Sequence, residues 1–177
     1  MELRLAGYFP KHVAGRPDWL CAPQVQDVYS VSACVSEAPD GWVERWLHND
    51  LGLYNTGEQA LSVIPPGAPP MKLFAYKLSS VRYDEGRPEE WPWPSVSPEP
   101  LPDSFRSFGF DVVSKTGDDV LGFECSPLSC NGLASEWHAN AHCLLDTLEQ
   151  ALEAARQFSV SGAEPGEYYI AEVFSAE

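Results

Sequence analysis

The chain has 177 residues, of which 26 are acidic and 11 are basic, so its formal net charge at neutral pH is −15. Hydrophobic residues make up 44% of the chain, which supports a folded core and excludes the composition of a disordered protein. The negative charge argues against nucleic acid and anionic membranes as partners, since both are bound through Lys and Arg.

The first half of the chain begins with a predicted strand at Leu3–Phe9 and a second extended stretch at Val28–Val35. Asp40 and the glycine after it are typical of a helix start. They predict a short helix that carries Trp46 and ends at Asn49.

A clearer helix start follows at Thr56. The pattern of Thr56 and Gln59 is a capping box, in which the hydroxyl and the amide each satisfy a backbone N–H of the other residue. Two prolines at 65 and 66 end this helix. A strand is then predicted at Lys72–Leu78. Residues 86–103 are rich in proline and predict an extended, semi-rigid connector.

The second half repeats this order of elements. A hairpin is predicted from strands at Phe108–Ser114 and Val120–Cys125. A short helix carrying Trp137 and ended by Asn140 comes next. The remaining signals are a second capping box, a helix with apolar residues at helical spacing and a closing strand, at Thr147–Gln150, Leu148–Ala155 and Tyr168–Phe174.

An internal duplication accounts for this repetition. At an offset of 91 residues, positions 41–61 and 132–152 share 9 identities in 21, where composition alone gives about one or two. In the same register Cys34 falls on Cys125. We therefore expect an α+β fold of two duplicated ββααβ units, 1–85 and 104–177, joined by the connector and packed as one compact body with pseudo-twofold symmetry.

The positions that differ between the halves are the better candidates for function, because shared positions are explained by the fold. Residues 95–177 hold 14 acidic and 3 basic residues. A basic protein surface is the natural complement of such a charge. The candidate partner-binding residues are acidic side chains of this half and two indoles of the connector: Asp118, Asp119, Glu124, Trp91 and Trp93.

Thiols and imidazoles also gather in the second half. Cys125, Cys130, His138, His142 and Cys143 follow the pattern C-x4-C-x7-H-x3-H-C. Zinc prefers these ligand types. The expectation is a protein without a cofactor, and the alternative is a zinc site formed by these residues. Buried thiols and surface histidines explain the same residues without a metal.

Catalysis has a similar alternative. Cys130 with His138 or His142 would form a thiol nucleophile and its base, if folding brings them together. The chain has no G-x-S-x-G elbow and no phosphate-binding glycine loop. The expectation therefore leans away from an enzyme.

These observations predict a small acidic module that binds a basic partner, as an immunity protein, antitoxin or inhibitor does. The alternative is a thiol- or zinc-dependent enzyme that uses the Cys and His residues of the second half. The five cysteines and the absence of a secretory pattern in residues 1–13 favour a cytoplasmic location.

Overall fold

The computed structural model describes residues 1–43, 47–116, 123 and 125–177, and its framework is one antiparallel sheet. Its strands are β1 Leu3–Lys11, β2 Lys72–Asp84, β3 Arg87–Glu90, β4 Phe105–Lys115 and β5 Glu167–Ala176. The long strands lie in the order β1-β2-β5-β4, and β3 pairs with the far end of β2. Both predicted units, 1–85 and 104–177, contribute strands to this sheet.

The helices of the described residues are few and short: α1 Gly57–Ser62, α2 Pro127–Cys130 and α3 Leu148–Ser161. This strand-rich arrangement is in keeping with the α+β class. Among the described residues no helix has the length and apolarity needed to cross a lipid bilayer.

Both predicted helix caps are present. The Thr56 hydroxyl accepts a hydrogen bond from Gln59 N at 3.0 Å, and the Thr147 hydroxyl accepts one from Gln150 N at 3.2 Å. At α3 the Gln150 side chain also accepts from Thr147 N, which completes the capping box. At α1 the corresponding oxygen of Gln59 is buried without a partner, so that box is half formed.

The two edge strands carry the same irregularity. A register shift comes directly before Gly7 in β1 and directly before Gly109 in β4. Their φ angles are +147° and +131°, in the region that favours glycine. A Cβ atom would lie 2.6 Å from Tyr54 O at the first and 2.5 Å from Leu145 O at the second. Both bulges therefore require glycine.

These bulges stand in matching registers around the centre of the sheet. Gly7 pairs with Tyr76 of β2, and Gly109 pairs with Val173 of β5. Tyr76 and Val173 also pair with each other. The register of β1 on β2 is therefore the same as the register of β4 on β5.

Several predicted details differ from the structure, and the described residues do not confirm the duplicated ββααβ units. Val28–Val35 is irregular, because buried side chains rather than a strand ladder hold it. The residues around Trp137 form turns, and the helix lies earlier, at α2, where Pro127 occupies its first turn. The connector contains β3. Trp46 and most of the predicted strand Val120–Cys125 lie outside the described residues.

Candidate functional site

Three cysteines converge at one place. The Sγ atoms of Cys34, Cys125 and Cys130 all lie within 4.8 Å of one another, and those of Cys34 and Cys125 are 3.4 Å apart. Four ligands at about 2.3 Å around a zinc ion place neighbouring sulfurs about 3.8 Å apart. The three thiols are therefore close enough to share one thiophilic ion after a small separation of Cys34 and Cys125. We call this group the three-thiol site.

Three different segments supply these thiols. Cys34 is exposed and follows the irregular stretch after Val28. Cys125 lies beside β4, where its carbonyl accepts a hydrogen bond from Ser114 N at 2.8 Å. Cys130 is the last residue of α2, and its N–H donates to Ser126 O at 2.8 Å. The site therefore depends on how the Cys34 segment is held against β4 and α2.

A buried lysine holds the Cys34 segment. Lys11 of β1 is 1% exposed, and its Nζ donates to the carbonyls of Ser30, Val31 and Ser32 at 2.6, 2.5 and 2.5 Å. Three donated bonds use all three protons of an ammonium group. Burial lowers the pKa of Lys11 to about 7, against the attraction of Asp111 and of the Cys34 and Cys130 thiols.

A buried carboxylate links that segment to α2. Asp111 of β4 accepts hydrogen bonds from Ser30 Oγ and Val31 N, at 2.7 and 2.9 Å, and from Ser126 Oγ at 2.6 Å. Val112 N is a further donor at 2.9 Å. Burial raises the pKa of Asp111, and these donors with Lys11 oppose that rise. Asp111 thus fixes the Cys34 segment and the start of α2 to the same strand.

Two of the three thiols, Cys125 and Cys130, are held in the protonated form. Burial raises the pKa of Cys125 well above its ordinary range, and hydrogen bonds to the neighbouring thiols add to that rise. Burial also raises the pKa of Cys130, and hydrogen bonds with the Ser126 backbone and the Cys125 side chain oppose that rise. A protonated thiol is a poor nucleophile, so the surroundings do not activate Cys130 for catalysis.

The residues proposed from sequence as zinc ligands are only partly brought together. Cys125 and Cys130 belong to the three-thiol site. His142 instead places Nδ1 2.6 Å from Asp27 Oδ1 and stacks on Tyr29, with ring centroids 4.3 Å apart. Cys143 is 1% exposed, and burial raises its pKa to about 12.

His138 lies in the turn after α2, with a φ of +51°. Among the described residues, the group of closely spaced metal-ligand atoms includes neither histidine and not Cys143. Among the described residues, Cys130 likewise makes no hydrogen bond with His138 or with His142, so the proposed nucleophile and base are not brought together.

Sequence reasoning missed Cys34 as a ligand, and it missed Lys11 and Asp111 entirely. The alignment of Cys34 with Cys125 at the 91-residue offset was the available signal for the first. Asp111 is a charge within the apolar stretch Phe108–Val113, which is a signal for a buried polar contact. Nothing comparable marks Lys11, because its partners are backbone carbonyls distant in sequence.

The two connector indoles proposed for partner binding pack on the body and on each other. Trp91 donates its Nε1–H to Ser79 O at 2.9 Å and meets the edge of Tyr169 at 5.1 Å. The ring centroids of Trp93 and Trp91 are 5.2 Å apart, and the Arg4 guanidinium lies 5.6 Å from the Trp93 ring centroid. Both indoles are half-buried along a cleft of about 400 Å³.

The other proposed partner-binding residues lie outside the described residues: Asp118, Asp119 and Glu124.

No protein-family model, curated protein sequence or solved structure matches this chain. Its chemistry is therefore inferred from its own residues.

Proposed function

We propose that this protein binds one thiophilic metal ion, with zinc as the first candidate, through Cys34, Cys125 and Cys130. The observation that supports this most directly is that their three Sγ atoms lie within 4.8 Å of one another. Thiolates are the preferred ligands of zinc and of cuprous copper. Metal binding displaces the thiol protons, so it overcomes the surroundings that otherwise keep Cys125 and Cys130 protonated.

The charge around the site favours the bound form. Three thiolates with one Zn²⁺ carry a net charge of −1, and the buried ammonium of Lys11 attracts the Cys34 and Cys130 thiolates. Asp111 keeps the segments that carry these thiols in place. The ligands are therefore arranged before the ion arrives, which lowers the entropy cost of binding.

Three protein ligands leave one tetrahedral position for an exchangeable ligand. Zinc sites with four protein ligands are structural, whereas sites with three protein ligands exchange a water or a substrate. Cys34 is exposed, so that position is accessible from solvent. A bound zinc ion would supply the activating positive charge for a reaction at this position, in place of a free thiolate.

A zinc titration of reduced, chelator-treated protein tests the proposal. We expect one ion per chain, and we expect Cys34→Ser, Cys125→Ser and Cys130→Ser each to weaken binding by about tenfold to a hundredfold or more. Cys21→Ser is the matched control, because Cys21 is an exposed cysteine outside the site. Cobalt substitution gives a second readout, since thiolate-to-cobalt absorption reports bound sulfur directly. Binding that survives the triple serine variant would contradict the proposal.

We keep the acidic partner-binding module as a second candidate, because the net charge of −15 favours a basic protein surface. An immunity protein, antitoxin or inhibitor in the cytoplasm has this character. Affinity capture with the full chain, washed at low and at high ionic strength, tests this function. We expect a basic partner that salt releases and that Trp93→Ala weakens. Partner retention independent of salt would contradict an electrostatic interface.

We also propose that the chain arose by duplication of one unit, with an approximate twofold axis near the Tyr76–Val173 pair. The matching glycine bulges and helix caps of the two halves support this. Under the duplication, Cys34 and Cys125 are equivalent positions that meet. The three-thiol site would then depend on contact between the two halves, and neither half would form it alone.

A further inference from the structure

Cys34 and Cys125 stand closer than a shared metal ion requires. Their Sγ atoms are 3.4 Å apart. A disulfide bond is about 2.05 Å long, so a movement of about 1.4 Å joins them. We infer that Cys34 and Cys125 form a reversible disulfide on exposure to peroxide, and that this bond releases the metal ion. The second half of the inference rests on the proposed metal function, whereas the first does not.

Position separates this pair from the third thiol. Cys34 is exposed and lies on a segment without regular structure, so peroxide reaches it first. Cys125 is half-buried, its Sγ lies 3.4 Å from that of Cys34, and it stands outside any helix. Cys130 ends α2, and its backbone is held by a hydrogen bond to Ser126 O at 2.8 Å. Cys125 is therefore the thiol that can attack an oxidised Cys34 without displacing a helix.

The reaction balances with hydrogen peroxide as the oxidant. The Cys34 sulfur attacks one oxygen of the peroxide, an S–O bond forms as the O–O bond breaks, and the other oxygen leaves as water with the Cys34 proton, which gives a sulfenic acid at Cys34. The Cys125 thiol, which the site holds protonated, passes its proton to the departing hydroxyl group as its sulfur attacks the Cys34 sulfur. The S–S bond forms, the S–O bond breaks and a second water leaves. Two thiols lose two electrons to the peroxide. A dithiol reductant reverses the step by thiol–disulfide exchange.

Disulfide formation removes two of the three thiolate ligands. Cys130 alone cannot hold zinc against water and cellular chelators, since the affinity of such sites depends on several thiolates at once. Oxidation therefore converts the three-thiol site from a binding to a releasing state. The same protein would hold its ion under reducing conditions and release it under oxidative stress.

The first test uses reduced, metal-free protein treated with equimolar hydrogen peroxide. We expect a mass loss of about 2 Da, and peptide mapping without reductant should show Cys34 joined to Cys125. Cys130→Ser should leave this cross-link unchanged. Cys125→Ser should instead leave a sulfenic acid at Cys34 that dimedone traps. A cross-link between Cys34 and Cys130, or irreversible oxidation of wild-type Cys34 without a cross-link, would overturn the inference.

The second test uses zinc-loaded protein and a zinc indicator. We expect one ion released per disulfide formed, and recovery of binding after treatment with a dithiol. Zinc that stays bound while the disulfide forms would overturn the release step. If the metal-free protein forms the disulfide but the reduced protein binds no zinc, the proposed function fails and the disulfide assignment stands. The two failures are therefore distinguishable.

Discussion

Asn49 and Asn140 make the same set of hydrogen bonds with their side chains. Each Nδ2 donates to a carbonyl directly before a bulge glycine and to a side-chain oxygen six residues further on, and each Oδ1 accepts from two backbone N–H groups of its own loop. The partners are Ala6, Asn55, Leu51 and Leu53 for the first, and Phe108, Asp146, His142 and Leu144 for the second. Each asparagine thus ties an edge strand to the loop that leads to a helix cap.

Alanine at either asparagine should destabilise the protein by a similar amount. A side-chain hydrogen bond contributes about 1 kcal/mol net, so the loss of several should cost about 2–4 kcal/mol in the free energy of unfolding. Urea unfolding of Asn49→Ala and Asn140→Ala measures this. Asn→Asp at each position is a second variant: it keeps the acceptor but places a charged oxygen 2.9 Å from the carbonyl of Ala6 or Phe108, so it should cost at least as much as alanine. A change under about 0.5 kcal/mol would show that the loop does not depend on the amide.

The bulge glycines should tolerate substitution even less. In Gly109→Ala the new Cβ would lie 2.5 Å from Leu145 O, and in Gly7→Ala it would lie 2.6 Å from Tyr54 O. Neither backbone oxygen can move without breaking the bond that each accepts from its edge strand. We expect a loss of more than about 3 kcal/mol from strain and broken hydrogen bonds.

Gly67→Ala is the matched control for these variants. Gly67 also has a positive φ, +81°, but its Cβ would have no neighbour within 4 Å. Its cost should be that of the backbone conformation alone, about 1 kcal/mol. Thermal and urea unfolding of the three variants separate the cost of the positive φ from the cost of the close approach of Cβ to a carbonyl oxygen. Equal losses would mean that the close approach of Tyr54 O and Leu145 O does not limit residue size.

Sequence patterns predicted best where local chemistry decides the structure. The threonine caps at 56 and 147 depend on contacts within four residues, and both begin helices. The predicted strand Phe108–Ser114 lies within β4, and its own strand-forming residues were enough to predict it. Val28–Val35 shows the limit of this approach. Its composition is typical of a strand, but Lys11 and Asp111 hold its backbone from other strands.

The same limit applies to the three-thiol site. Its ligands come from segments about 90 residues apart, and only their common offset connected Cys34 with Cys125. His138 and His142 looked like ligands because they are close to the cysteines in sequence. In the fold, the Asn140 loop turns the His142 ring toward Asp27.

Lys11 and Asp111 should show strong thermodynamic coupling. Lys11→Met removes the ammonium donor of three buried carbonyls and removes a buried cation that attracts Asp111. The variant should lose about 3 kcal/mol or more, since a hydrogen bond to a charged group contributes about 1.5–3 kcal/mol. Asp111→Asn should cost less, since the amide keeps the volume and one acceptor.

A double-mutant cycle measures the coupling. The loss in the double variant Lys11→Met/Asp111→Asn should be smaller than the sum of the single losses by about 1–3 kcal/mol. The rate at which an alkylating reagent labels Cys34 gives a second readout. It should change in both single variants, because the Cys34 segment is fixed through Lys11 and Asp111. Additive losses with unchanged labelling would show that the two residues act separately.

Cys143 should make the stability of the protein depend on pH in the alkaline range. Its thiol is 1% exposed, and burial raises its pKa to about 12 in the folded chain. In the unfolded chain a cysteine ionises near pH ~8.5. Between these values the folded chain binds more protons than the unfolded chain. The free energy of unfolding therefore falls as pH rises, by about 1.4 kcal/mol per pH unit.

Comparison with Cys143→Ala isolates this effect, because every other ionisable group remains in the variant. At pH 8 the wild-type protein should be the more stable, since the variant loses buried side-chain volume. That advantage should shrink by about 2 kcal/mol between pH 8 and pH 10, as the unfolded wild-type chain loses the thiol proton. Urea unfolding at several pH values measures both slopes. Parallel slopes would mean that the folded protein releases the Cys143 proton as readily as the unfolded chain, and rapid alkylation of Cys143 in the native protein would show the same directly.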